Sequence, residues 1–227
     1  IISYRKNHVK KLKNKCFLGE MRLNLRHIST AGRSERIQKM KRYHVIYADP
    51  PWHYRVWSKR GNSRSAEAHY PTMRIEEIRE LPISQIAERD AVLFLWVTFP
   101  LLQEAWGVME AWGFTFKTVA FVWIKQNRKS DALFWGMGYW TRANAEICLL
   151  ATRGRPSRAA ANVHQVILSH IEEHSKKPDE VRKRIERLMG DRSRIELFAR
   201  QKPPGWDVWG DEVESDIDLS QYITEED

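Results

Sequence analysis

The 227 residues give room for one sizeable core and a small appendage, since single domains run to about 100–200 residues. A hydrophobic content of 42% with ten Trp excludes a wholly disordered chain, and no apolar run approaches the roughly 20 residues of a membrane span. The net charge is +9: residues 1–42 carry +11, residues 207–227 carry −9 and the stretch between them +7, so the body suits a polyanionic partner, although a merely solvated surface would look the same.

Residues 1–42, rich in Lys, Arg, Asn and Ser, read as a basic, partly flexible arm that starts at Ile1 and lacks the apolar centre of a secretion signal. Cys16 and Cys148 stand far apart without a second-Cys motif, so neither a disulfide scaffold nor a Cys-based zinc site is suggested. They fit a reducing, cytoplasmic setting, or a nuclear one in a eukaryote. Tyr43-His44-Val45-Ile46-Tyr47-Ala48-Asp49-Pro50-Pro51-Trp52 is a buried strand that runs into a carboxylate, two prolines and a large aromatic. Residues 53–70 are a polar loop with Arg55, Lys59, Arg60 and Arg64, long enough to be a functional lid or a disordered segment. Thr72 is the expected N-cap of a helix over Arg74–Leu81. Ala91–Val97 reads as a buried parallel strand. Pro100 opens a helix whose apolar positions Leu101, Leu102, Ala105, Trp106, Met109 and Trp112 keep helical spacing up to Gly113, and Thr115–Ile124 returns as a strand. A long segment over 125–143 precedes strand Glu146–Thr152, and Val163–Leu168 is a further strand candidate. Pro178 is expected in the first turn of a helix that ends at Met189 with Gly190 as its cap, and Ile195–Ala199 is the last strand. Strands and helices alternate without internal repeats, which predicts an α/β fold with a doubly wound, mostly parallel sheet over 43–210. An acidic tail over 211–227 is expected to be peripheral.

The chemistry concentrates at Asp49. A strand's carboxyl end is where open α/β sheets bind ligands, and two prolines remove two amide donors, leaving the Asp49 and Pro50 carbonyls as acceptors on a stiff loop. Trp52 offers a flat face beside them. Two acceptors that hold the N–H groups of a planar amine favour the charge that develops as its nitrogen attacks an electrophile. A tight Asp-Pro turn with Trp52 in the core is the alternative. His170 and His174 have helical spacing, but no third ligand converges and no metal is expected. Trp96 and Trp140, taken singly, are more often core residues than base platforms.

Asp49-Pro50-Pro51-Trp52 resembles the catalytic motif of amino-methyltransferases acting on adenine, in the form found in the family typified by the seventy-kilodalton mRNA adenosine methyltransferase subunit. Tyr70-Pro71-Thr72-Met73, Leu93 to Thr98, Gly138 to Glu146, Lys177-Pro178-Asp179-Glu180 and Ile195 to Arg200 resemble its further blocks, in its order, between about Tyr43 and Glu212. The resemblance implies a Rossmann-like class I methyltransferase sheet with permuted motif order and S-adenosylmethionine as methyl donor, leaving S-adenosylhomocysteine. It gives Asp49, Pro50, Pro51 and Trp52 the catalytic role and Lys177 the methionine carboxylate. Asp49, Glu196, Phe198 and Arg200 fall to the cofactor pocket, with Lys202, Asp211 and Glu212, where this chain departs from the family's His and amide side chains. Tyr70, Trp140, Arg142 and Asn144 match positions near the target base, and Arg60 and Arg64 are expected on phosphates. The small size and the Thr141-Arg142-Ala143-Asn144 stretch look like the bacterial and phage-type members. DNA is therefore the expected partner ahead of RNA, with adenine extruded for reaction and a homodimer or partner subunit as further options. A catalytically silent binding subunit, or an enzyme for a protein glutamine or small-molecule amine, stays open on the residues alone.

Overall fold

The computed structural model describes residues 41–53, 72–138, 140–173 and 175–222. The strands are Tyr43–Ala48 (β1), Ala87–Val97 (β2), Thr115–Gln126 (β3), Glu146–Arg153 (β4), Val166–His170 (β5), Arg194–Leu197 (β6) and Asp207–Trp209 (β7). Four α-helices accompany them among the described residues: Ile75–Arg79 (α1), Ile83–Ile86 (α2), Leu102–Ala111 (α3) and Glu180–Met189 (α4). The seven strands form one sheet in the order β5-β3-β4-β2-β1-β6-β7. This is an α/β fold of the class I methyltransferase kind, with β1 near the centre of the sheet.

β1 pairs parallel to β2 on one side and to β6 on the other, and β6–β7 and β3–β5 are parallel too. β4 alone runs antiparallel to both its neighbours, β2 and β3. The sheet is thus mostly parallel, as expected, with the one reversed strand β4 making it mixed. The cause is local: the segment between β3 and β4 contains no crossover helix and folds back on itself, so the chain returns as a hairpin.

Continuous apolar runs in β1 and β2 follow from cover on both faces of the sheet. Successive residues point to opposite sides, so Ile46, Leu93, Leu95, Ile195 and Leu197 pack under α1–α3 while Val45, Tyr47, Phe94 and Trp96 pack with Val181, Ile185 and Met189 of α4. Each such side chain contributes about 1.5–3 kcal/mol by leaving water.

Several boundaries differ from the sequence reading. Arg74, not Thr72, caps α1, its N–H donating to Glu77 Oε2 at 3.0 Å; Thr72 Oγ1 instead lies 3.1 Å from His53 Nδ1. Pro100 sits in a 3₁₀ turn, Phe99–Leu101, that leads into α3, a first-turn place where its missing N–H costs no hydrogen bond. Trp106 turns outward and stacks on Phe116 at 4.7 Å. Pro178 precedes the Asp179 cap of α4, whereas Gly190 takes the left-handed φ of 72° expected of a cap. β7 was not anticipated, being only three residues long. The acidic segment is not peripheral throughout. Asp216 accepts from Val208 N–H at 2.9 Å, Leu219 and Tyr222 are buried in the core, and the Tyr222 hydroxyl donates to the Lys41 carbonyl. The arm over 1–40, the loop over 54–70 and residues 223–227 lie outside the described residues, and no described helix is long and apolar enough to cross a membrane.

Candidate active site

Ala48 is the last residue of β1 and pairs with Leu95 and Leu197, so Asp49 emerges between two parallel strands at their carboxyl ends. The prolines then fold the loop sharply. Trp52 N–H reaches back to the Pro50 carbonyl at 2.8 Å, and the Pro51 carbonyl accepts from Met73 N–H at 2.8 Å. His53 N–H completes a short parallel bridge to the Met73 carbonyl, which ties the Asp49 loop to the Thr72-Met73 block. The Pro50 carbonyl is thus not a free acceptor; one of its lone pairs is used within the loop.

Trp52 is only 8% exposed, with its indole N–H on the Trp96 carbonyl at 3.0 Å, and Trp96 in turn donates to the Tyr47 hydroxyl at 2.8 Å. This buried chain fixes the loop against the core. The open aromatic face expected of Trp52 is corrected to a packed one.

Lys177, just before α4, donates from Nζ to Asp49 Oδ2 at 2.7 Å, lies 3.4 Å from Glu146 Oε2 and stands 5.5 Å from the centre of the Trp96 ring. Glu146 also pairs with Lys125, whose ammonium sits over Trp123. Four charges therefore alternate in a row, Asp49, Lys177, Glu146 and Lys125. Because β4 is reversed, its first residue, Glu146, reaches the sheet end where β1 and β3 finish. Asp49 keeps 31% of its side chain exposed against 11% for Lys177, so the carboxylate faces the open side of the row.

The two carboxyls respond differently. Burial raises the Asp49 pKa above the ordinary carboxylate value; Lys177 pulls it down, Glu146 pushes it up and Arg200 lowers it. Burial also disfavours ionised Glu146, but Lys177 and Lys125 flank it and together bring it down to about 2. Glu146 is held ionised, and Asp49 is the carboxyl whose proton affinity is lifted.

The other anticipated residues divide. Phe198 directly follows β6, in the left-handed region at φ 60°, and packs edge-on against Trp209 at 5.4 Å. Arg200 Nε meets Glu212 at 3.0 Å, Lys202 meets Asp216 at 2.5 Å, and Asp211 is exposed nearby. Phe198 and Arg200 leave the carboxyl end of β6, the parallel neighbour of β1, and Arg200 is near enough to act on Asp49, whereas the Lys202–Asp216 pair lies beside β7 toward Lys41 and Asp207. Glu196 is buried with both oxygens on Arg182, at 2.7 and 2.9 Å, so it acts as a brace between β6 and α4. The Asn144 amide is used by the backbone: it accepts from Lys125 N–H at 2.9 Å and donates to the Lys125 and Phe134 carbonyls. Trp140 and Arg142 are exposed. Tyr70, Arg60, Arg64 and His174 lie outside the described residues, among which no three His, Cys, Asp or Glu side chains converge as a metal site. Glu146 and Lys125 were missed as site residues. A charge at each lip of two apolar strands marks them in the sequence, but only the antiparallel pairing of β3 and β4 brings the two together.

Against known proteins, the MT-A70 family pattern matches residues 43–212. A type II methyltransferase, M.MunI, from Mycoplasma sp is 35% identical over 190 residues, which cover 76% of this chain and 78% of that protein. An N(6)-adenosine-methyltransferase MT-A70-like protein of Arabidopsis thaliana is 30% identical over 80% of this chain but only 25% of its own length. The human N(6)-adenosine-methyltransferase catalytic subunit METTL3 is 29% identical over 76% of this chain and 28% of its own. The matched span begins at β1 and takes in every strand and the whole charged row, and on that ground the chain belongs to the MT-A70 family of adenine N(6)-methyltransferases.

Proposed function

We propose that this chain transfers a methyl group from S-adenosylmethionine to the exocyclic amine of adenine in DNA, giving N(6)-methyladenine. The observation that carries the reading is the 2.7 Å pair of Asp49 and Lys177 at the carboxyl end of β1. A zwitterionic amino-acid end needs a cation for its carboxylate and an anion for its ammonium, and this pair has one of each, so the residues fit the cofactor. When bound, that group supplies an electrophilic methyl on sulfur. Lys177 would take the carboxylate, which draws the ammonium off Asp49 and frees an oxygen to accept an N–H of the target amine. Asp49, raised by burial, is suited to holding the proton the amine loses as the new N–C bond forms. Trp52, locked by its bond to Trp96, holds the loop so that the acceptor does not reorganise. Phe198, Arg200 and Glu212 would border the cofactor, with Lys202 and Asp211 beside them. Trp140 and Arg142 would meet the strand entering the site, and Arg60 and Arg64 its phosphates.

DNA is favoured over RNA by proportion. The type II methyltransferase is matched over most of its length, whereas the N(6)-adenosine-methyltransferases are matched over about a quarter of theirs. RNA is the second reading, motivated by those same relatives. The test is methyl transfer from labelled cofactor to DNA and RNA oligonucleotides by wild type and by Asp49→Ala. Incorporation into adenine-containing DNA that Asp49→Ala lacks is the expected result. Equal incorporation by both proteins, or none on any oligonucleotide, overturns the catalytic reading, and a preference for RNA moves the substrate.

A further inference from the structure

The hairpin between β3 and β4 carries an exposed apolar ridge, of which only Trp140 has a part in the methyl transfer proposed above. Leu133, Trp135 and Met137 are exposed and alternate with the more enclosed Phe134 and Gly136. Trp135 is 60% exposed, Met137 68%, and Trp140 is fully exposed. Isolated exposed apolar residues are ordinary; four within eight positions of one hairpin are not.

The ridge is held firmly from behind. Asn127 N–H donates to the Ala132 carbonyl, Phe134 N–H to Lys125 and Gly136 N–H to Ala143, at 2.7 to 2.9 Å, while Asn144 clamps Lys125 and Phe134 together. A Cβ on Gly138 would stand 2.5 Å from the Thr141 carbonyl, so only glycine permits this return. Trp140 takes φ 62°, a conformation that costs a non-glycine residue energy and here accompanies an indole standing in solvent. The backing residue Lys125 also pairs with Glu146, which links the ridge to the charged row at Asp49. Arg128, Lys129 and Arg142 belong to the same segment against the single carboxylate of Asp131.

We propose that this ridge is a stacking surface for an unpaired nucleobase flanking the target adenine, with Trp135 as the platform and Met137 and Trp140 beside it. The proposal rests on the methyltransferase reading above. A flat indole offered to solvent on a segment that also carries Arg128, Lys129 and Arg142 is the combination that suits single strands, where bases stack on aromatics and phosphates meet cations. An apolar protein partner would meet those charges uncompensated.

The test is the affinity of labelled single-stranded oligonucleotides, each with one adenine, either intact or abasic on both sides of that adenine. Trp135→Ala and Met137→Ala are compared with wild type, with methyl transfer and sedimentation measured in parallel. Trp135→Ala is expected to lose about 5-fold or more in affinity for the intact strand and nothing for the abasic one, Trp135→Phe to recover most of it, and Met137→Ala to lose less. Wild type that methylates while Trp135→Ala binds both strands as wild type does overturns the stacking surface alone. So does an equal loss on both strands, or a change in oligomeric state without a change in affinity, which would mark a protein interface. Wild type that neither binds nor methylates any oligonucleotide overturns this proposal together with the reading beneath it.

Discussion

Asp49 sits where its own charge is costly. Its pKa in the fold is raised by burial, so the ionised carboxylate weakens the fold once pH exceeds the ordinary value of 3.8, despite Lys177 at 2.7 Å. Asp49→Asn is therefore expected to unfold at a urea concentration equal to or higher than wild type at neutral pH, while losing methyl transfer; a lower midpoint would show that the ion pair is a net support. Glu146 has the opposite sign. Lowered from 4.5 to about 2, it contributes stability that is present above pH 4.5 and is lost as pH falls towards 2. With 1.36 kcal/mol per unit this amounts to about 3 kcal/mol. Glu146→Gln should lose stability of that order at pH 7, and its urea midpoint should converge on wild type only as pH falls to about 2. Asp49 could be read in the sequence because a carboxylate before two prolines at a strand end is unusual. Glu146 and Lys125 could not, since what gives them a role is the antiparallel pairing that brings positions 125 and 146 together.

Among the elements, the β3–β4 hairpin decides most. Alternation of strands and helices made the α/β class and most strands legible, and Gly113 and Gly190 marked helix ends through their positive φ. Strand direction was not legible: a long polar segment reads alike whether it crosses over or folds back, and only the bonds of Asn144 and Gly136 decide it. A sequence cannot show whether an Asn faces a base or its own backbone, so Asn144 was read as a substrate contact. Asn144→Ala removes three hydrogen bonds behind the hairpin and should cost about 1–3 kcal/mol. It is expected to raise the KM for oligonucleotide more than the KM for cofactor, because the ridge loosens while Lys177 keeps its partners. Equal effects on both constants would argue that the hairpin serves the whole site.

For the molecule as a whole, the last described residues belong to the body. Acidity alone predicted a peripheral tail, but a period of charges hides the two apolar anchors, Leu219 and Tyr222, which lie in the core with 4% and 5% exposure. Leu219→Ala should cost about 2–5 kcal/mol in urea or thermal unfolding; a loss below half a kcal/mol would return the segment to the surface. The place of β1 has a further consequence, which concerns the order in which the protein is made. Its partner β6 lies 149 residues downstream, the separation of His44 from Ser193. Until that distant segment leaves the ribosome, the strand that carries Asp49 has an open edge of unpaired amides and carbonyls. Such an edge slows folding and invites association with other chains. Nascent chains released before residue 194 should therefore aggregate through β1, and the Asp49 end of the sheet is among the last parts of the protein to come into being.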